Sequence, residues 1–138
     1  MSVVVDASVA VKWVTPETLS EHADRLLAHD EALLAPDLLL VEAANALWKK
    51  ATRNEISPRE AARALDLLRG SGVDLRPTSP LLARAMEVAR LLDHPVYDCV
   101  YLALAERERA TVVTADARLL QRARRRRLRI SVVDLATF

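Results

Sequence analysis

Glycine is almost missing from this chain: Gly70 and Gly72 are the only two in 138 residues. A loop that cradles phosphate needs glycines in close succession, so neither a G-x-G-x-x-G fingerprint nor a Walker sequence is present. Cysteine is scarcer still. With Cys99 alone, an internal disulfide is excluded and a cysteine-built zinc cage is disfavoured; its apolar surroundings predict a buried, inert thiol. No apolar run approaches the ~20 residues that cross a bilayer. Val3–Val5 is too short for a signal-peptide core and no basic segment precedes it. The chain is therefore expected to be soluble and cytoplasmic. An excess of one charge is also lacking, because the net charge of +1 gives no global steering.

What is present is an ordinary globular composition, 51% hydrophobic, in a length that suits one domain with a real core, residues 1–138. Charge is uneven only in "QRARRRRLR", which holds Arg122, Arg124, Arg125, Arg126, Arg127 and Arg129. Strands are expected at Val3–Val5, Ala32–Asp37, Val73–Ser79, Ala110–Asp116 and Ile130–Asp134. Helical stretches are expected at Ser8–Trp13, Glu17–His29, Leu38–Arg53, Pro58–Arg69, Ser79 to Leu92, Pro95 to Arg109 and Ala117–Arg127. Pro36-Asp37 reads as a helix-entry signal, Ser57-Pro58-Arg59-Glu60 as a capping box, Gly70 as a helix stop. Mostly apolar strands alternating with helices predict an α/β fold, a parallel sheet covered on both faces.

Four acids stand out against this frame. Asp6 ends a run of three valines and Asp116 ends "TVVTAD". Glu42 has Leu38, Leu39, Asn45 and Ala46 three and four residues away, so no local cation holds it. Asp98 has His94, Pro95, Tyr101 and Leu102 at the same offsets. A carboxylate on an apolar face is costly unless something neutralises it. In a parallel sheet, Asp6 and Asp116 fall at the carboxyl ends of strands. Glu42 lies near the start of a helix leaving that edge, and Asp98 in the first turn of a helix running antiparallel to the strand that ends at Asp116. Ligand sites of open parallel sheets lie at that edge. As single residues, Asp6 and Asp116 also read as helix N-caps and Asp98 as a complement to a helix dipole. Together, four acids at one edge call for a hard divalent cation, Mg²⁺ or Mn²⁺.

At these residues the chain resembles the PIN domains, specifically the ribonuclease toxins of the VapC type. The matching pieces are "VVVDASV", "LLLVEAANAL", "YDCVYLALA" and "VVTADARL", in order over essentially the whole chain. The resemblance implies a three-layer sandwich on a five-stranded parallel sheet of order 3-2-1-4-5, and a Mg²⁺-dependent endoribonuclease. It also implies a cognate antitoxin and a homodimer. Carried over residue by residue, Asp6, Glu42, Asp98 and Asp116 match the family's acidic metal site. Ser8 and Thr114 match its hydroxyl positions, and Asn45 a frequent polar position after Glu42. Some relatives carry a further acid after the last one, but Ala117, Arg118, Leu119 and Leu120 follow here. A complete second metal site is therefore not expected without substrate phosphate as a ligand.

The remaining polar residues are assigned lesser roles. Lys12 and Arg118, close to the acids in sequence, are the candidate contacts for RNA phosphates. The arginine run reads as a solvated helix end or a peripheral RNA contact, since ~11 helical residues carry it ~16 Å from the acids. His22, His29 and His94 read as structural or surface residues, and Trp13, Trp48, Tyr97 and Tyr101 as core or interface. Two other classes compete with the nuclease: a catalytically inactive PIN scaffold that binds RNA or protein, and a receiver-like acidic α/β domain. A receiver needs a lysine after a late strand, and Ser131–Asp134 brings none. A dehalogenase-type phosphatase needs D-x-D, and Asp6-Ala7-Ser8 lacks the second acid.

Overall fold

The structure is a computed structural model that describes residues 2–125 and 128–138. Its strands are β1 (Val3–Val5), β2 (Leu33–Pro36), β3 (Asp74–Arg76), β4 (Thr111–Thr114) and β5 (Ser131–Asp134). Its helices are α1 (Ala7–Val14), α2 (Ser20–Leu27), α3 (Leu38–Thr52), α4 (Pro58–Arg69), α5 (Leu82–Leu92), α6 (Val96–Glu108) and α7 (Ala117–Arg125). The last two residues of the expected final helix, Arg126 and Arg127, lie outside the described residues. Every strand pair is parallel, and the order is β3-β2-β1-β4-β5. A receiver domain has the order 2-1-3-4-5, so the observed order sets that class aside.

Right-handed crossovers place α1–α4 on one face of this sheet and α5–α7 on the other. The packing agrees: α1 lies against α2, α3 and α4, while α5 lies against α6 and α7. The central strand β1 is entirely buried valine, and β2 contributes Leu33, Leu34 and Ala35 to the same core. α6 is buried from Cys99 to Ala105, which explains why its sequence shows no polar stripe. Cys99 is fully buried, as expected, and burial pushes its thiol up to about 11.

Local signals closed most elements. Asn54, at φ 59, sits in the left-handed region just beyond α3. α4 carries the full capping box: the Glu60 amide donates to Ser57 Oγ (3.0 Å) and the Ser57 amide to Glu60 Oε1 (3.3 Å). Ser57→Ala is expected to lower stability by about 1 kcal/mol in a urea titration, with an unchanged m-value. Gly70 ends α4, as expected, in an ordinary backbone conformation, and Gly72 beyond it adopts φ 89. The helix entry at Pro36-Asp37 is as expected: Asp37 stands at the N-cap of α3, but its side chain makes no capping hydrogen bond to the helix. Thr78, two residues beyond β3, accepts from the Leu38 amide (3.1 Å) while its hydroxyl donates to Asp37 Oδ1 (2.6 Å).

Candidate active site

Strand order reverses between β1 and β4, because the chain leaves β1 toward β2 and returns from the far side into β4. This is the topological switch, where a crevice opens at the carboxyl edge. Val5 is in register with Val113, so Asp6 and Thr114 come level with each other at that edge. The Thr114 hydroxyl donates to Asp6 Oδ2, and the Ser8 hydroxyl to Asp6 Oδ1 (2.6 Å). Ser8 Oγ accepts from the Ala115 amide (3.0 Å) and Thr114 Oγ1 from the Asp116 amide (3.0 Å). The two hydroxyls thus tie the end of β1 to the end of β4 through one carboxylate.

Asp6 also caps α1, accepting from the Val9 amide (3.2 Å), so its capping role and its site role coexist. It is only 4% exposed. Burial pushes its carboxyl up to about 6, against the pull of the Ser8, Thr114 and Val9 hydrogen bonds, and the Asp98 charge adds to the rise. Glu42 is raised as well, first by burial and then by Asp98, while a hydrogen bond from Tyr101 works the other way. Tyr101 is raised by burial and then by the charges of Glu42, Asp6 and Asp98. Asp98 therefore acts on both Asp6 and Glu42, and all three acids act on one buried phenol.

Glu42 and Asp98 have partners that local sequence reasoning missed. Tyr101 of α6 donates its hydroxyl to Glu42 Oε1 of α3 at 2.6 Å, joining helices of the two layers. His94 Nε2 lies 2.5 Å from Asp98 Oδ2. The expectation that these acids lack partners is corrected on both counts. The first contact spans 59 residues and leaves no local trace; the second is visible as a spacing of four along the chain. Asp116 is joined to the group through its amide and Thr114, while its Oδ1 caps α7 by accepting from the Arg118 (2.9 Å) and Leu119 (3.2 Å) amides.

No Lys or Arg forms an ion pair with Asp6, Glu42, Asp98 or Asp116 among the described residues. The donor set is all oxygen and net negative, which fits a hard divalent ion. It is not a preassembled cage: among the described residues no three His, Cys, Asp or Glu side chains stand close enough to hold a metal. Each acid is instead tethered to a protein donor. Asn45 is exposed one turn beyond Glu42 and hydrogen-bonds none of the acids. Lys12 is turned from the acids to Glu17 (3.7 Å), and Glu17 also holds Lys50 (3.7 Å). These three line a cleft of about 230 Å³ that reaches Ser8 and Ala115. Arg118 is exposed beside Asp116. Arg122, from the arginine run, pairs with Asp93 (3.8 Å).

Comparison with known proteins bears on this arrangement. The family model described as PIN domain matches residues 3–125. Ribonuclease VapC3 of Pyrobaculum aerophilum is 33% identical over 124 residues, covering 88% of this chain and 95% of that protein. The crystal structure of PAE2754 from the same organism superposes with a TM-score of 0.76 at 28% identity, over 99% of this chain and 91% of the other. VapBC2 from Rickettsia felis, solved bound to a DNA fragment from its promoter, shares the fold: TM-score 0.68, 13% identity, 97% and 98% covered.

Proposed function

The chain belongs to the PIN-domain family, and from that premise we propose that it is a Mg²⁺-dependent endoribonuclease, the toxin of a toxin–antitoxin pair. The observation that carries this is the charge imbalance at the switch point. Asp98 repels both Asp6 and Glu42 there, and among the described residues no Lys or Arg pairs with any of the three. Buried acids in such a group are stabilised most directly by a cation in their midst. Asp6, Glu42, Asp98 and Asp116 would hold it, and Mn²⁺ would substitute.

When bound, a divalent ion supplies an activated water and stabilises charge on the phosphoryl oxygens. The chain's own residues do the arranging. Ser8 and Thr114 fix both oxygens of Asp6, and Tyr101 fixes Glu42. Lys12 and Arg118 flank the edge as candidate contacts to the RNA backbone, Lys12 after release from Glu17. The test is cleavage of RNA by the purified chain, its loss on chelation and its return with Mn²⁺. A chain that binds RNA but never cuts it would establish the inactive-scaffold reading instead.

The partner proposal rests on a second surface. Ala44, Leu47, Trp48, Ala61 and Leu65 line an apolar groove of about 250 Å³ between α3 and α4, and Trp48 is 61% exposed. An amphipathic antitoxin segment fits such a groove, and an arginine beyond it can pair with a carboxylate at the acidic edge. Leu82, Met86 and Tyr97 are exposed on α5 and α6 and are offered for a homodimer. No described helix is long and apolar enough to cross a membrane; action in the cytoplasm is part of the proposal. Excess Mg²⁺ and Glu42→Gln are each expected to weaken antitoxin binding by about tenfold, as loss of one charged pair does. Trp48→Ala should weaken it at any Mg²⁺ concentration. Calorimetric titrations showing indifference to both Mg²⁺ and the Gln substitution would place inhibition away from the acids.

A further inference from the structure

His94 is hard to explain as packing. It sits at the corner between α5 and α6, with 2% of its side chain exposed. The backbone there has little freedom. Asp93 closes α5 in the left-handed region (φ 51), the His94 amide donates to the Ala89 carbonyl (3.1 Å), and Pro95 follows directly as the entry to α6. The ring is held inward, with Nε2 against Asp98 Oδ2, while its buried Nδ1 has no hydrogen-bond partner among the described residues. An ionised carboxylate only accepts, so Nε2 carries the hydrogen in this bond. A leucine would fill the same space without burying an orphan nitrogen, whose desolvation is uncompensated. Packing alone asks for no nitrogen here.

Asp98 does ask for one. Its charge raises both Asp6 and Glu42, so Asp98 is pushed away from each of those carboxylates. Asp98 keeps a quarter of its side chain exposed and could swing toward water. We infer that His94 is a positioning residue, whose Nε2–H pins Oδ2 of Asp98 and leaves Oδ1 turned to its task as a metal ligand. The inference rests on the reading of Asp98 as such a ligand. Oδ1 has no protein partner among the described residues, so pinning one oxygen leaves the other free. Tyr101, three residues beyond Asp98 on the same helix, pins Glu42 in the same way. α6 therefore sets two of the acids from one rigid element. Hydrogen bonds behind metal ligands typically change affinity 10–100-fold when removed.

The test uses the full chain with Leu, Gln or Asn at position 94, and follows free Mn²⁺ by electron paramagnetic resonance. Thermal melts and RNA cleavage kinetics run alongside. His94→Leu should melt at or above the wild-type temperature yet bind Mn²⁺ about 10–100-fold more weakly. His94→Gln places an amide N–H near the position of Nε2 and should restore most of the affinity. His94→Asn places its amide nearer the position of Nδ1 and should not. KM for RNA at saturating Mn²⁺ should stay unchanged in all three. Wild-type affinity in the Leu variant, or equal affinity in the Gln and Asn variants, overturns the inference; the second comparison serves if the Leu variant fails to fold. Asp98→Asn is the control. If it binds Mn²⁺ like the wild type, the reading of Asp98 itself falls; if it alone loses Mn²⁺, only the role of His94 does.

Discussion

Asp98→Asn is expected to reduce RNA cleavage by about 10³-fold or more while leaving the fold unchanged. Removing a single group that stabilises transition-state charge in other enzymes lowers turnover by about 10²–10³-fold. Here the same substitution also weakens the hold on the ion that supplies the attacking water. The fold should survive because the side-chain oxygen of Asn still accepts from His94, and because one member of a self-repelling group becomes neutral. The variant should melt at or above the wild-type temperature, and its loss of turnover should persist at saturating RNA. Gel-resolved cleavage of a labelled RNA, with circular dichroism on the same samples, decides the matter. An active Asp98→Asn protein would remove Asp98 from the main ligands and with it the proposed centre.

The sequence carried the site's outline because strand ends are local. "VVVD" and "TVVTAD" each declare a buried strand and the acid that ends it, and parallel pairing then brings Asp6 level with Thr114. The capping box of α4 was legible for the same reason, since both hydrogen bonds close within four consecutive residues. What escaped depends on contacts between distant segments. Nothing near Glu42 announces Tyr101, and nothing near Leu38 announces Thr78, which lies 40 residues away. His94 is the instructive intermediate. Its spacing from Asp98 permits contact on a helix, but as the residue before Pro95 it reads as structural or surface. The structure meets both conditions, because the histidine stands just before the helix and reaches one turn into it. The capping readings of Asp6 and Asp116 were not rivals to the site readings. A carboxylate has two oxygens, and Asp116 caps with one while the other has no protein partner among the described residues.

Asp6→Asn should reverse the order of stability between variant and wild type depending on metal and pH. In the metal-free protein, the carboxyl of Asp6 stands at about 6 against an ordinary 3.8. Its raised value means that the folded state prefers the protonated form. Stability is therefore greatest at acidic pH, falls as pH rises between about 4 and 6, and stays low above that window. The difference of roughly two units sets a ceiling of about 3 kcal/mol. Asparagine removes this term and still caps α1, but it gives up one acceptor to the Thr114 hydroxyl. A net gain of about 1–2 kcal/mol at pH 7.5 follows, or roughly 3–8 °C in melting temperature. The gain should vanish near pH 4, where the wild-type carboxyl is protonated as well. Mg²⁺ acts in the other direction. An ion that binds only the folded wild type stabilises it by about 2.7 kcal/mol at a hundred times its dissociation constant, which offsets the asparagine advantage. Melting curves of both proteins, at pH 4 and 7.5 with and without Mg²⁺, should therefore cross only in the neutral pair. Parallel shifts under all four conditions would mean that Asp6 caps its helix and holds β4 but binds no ion.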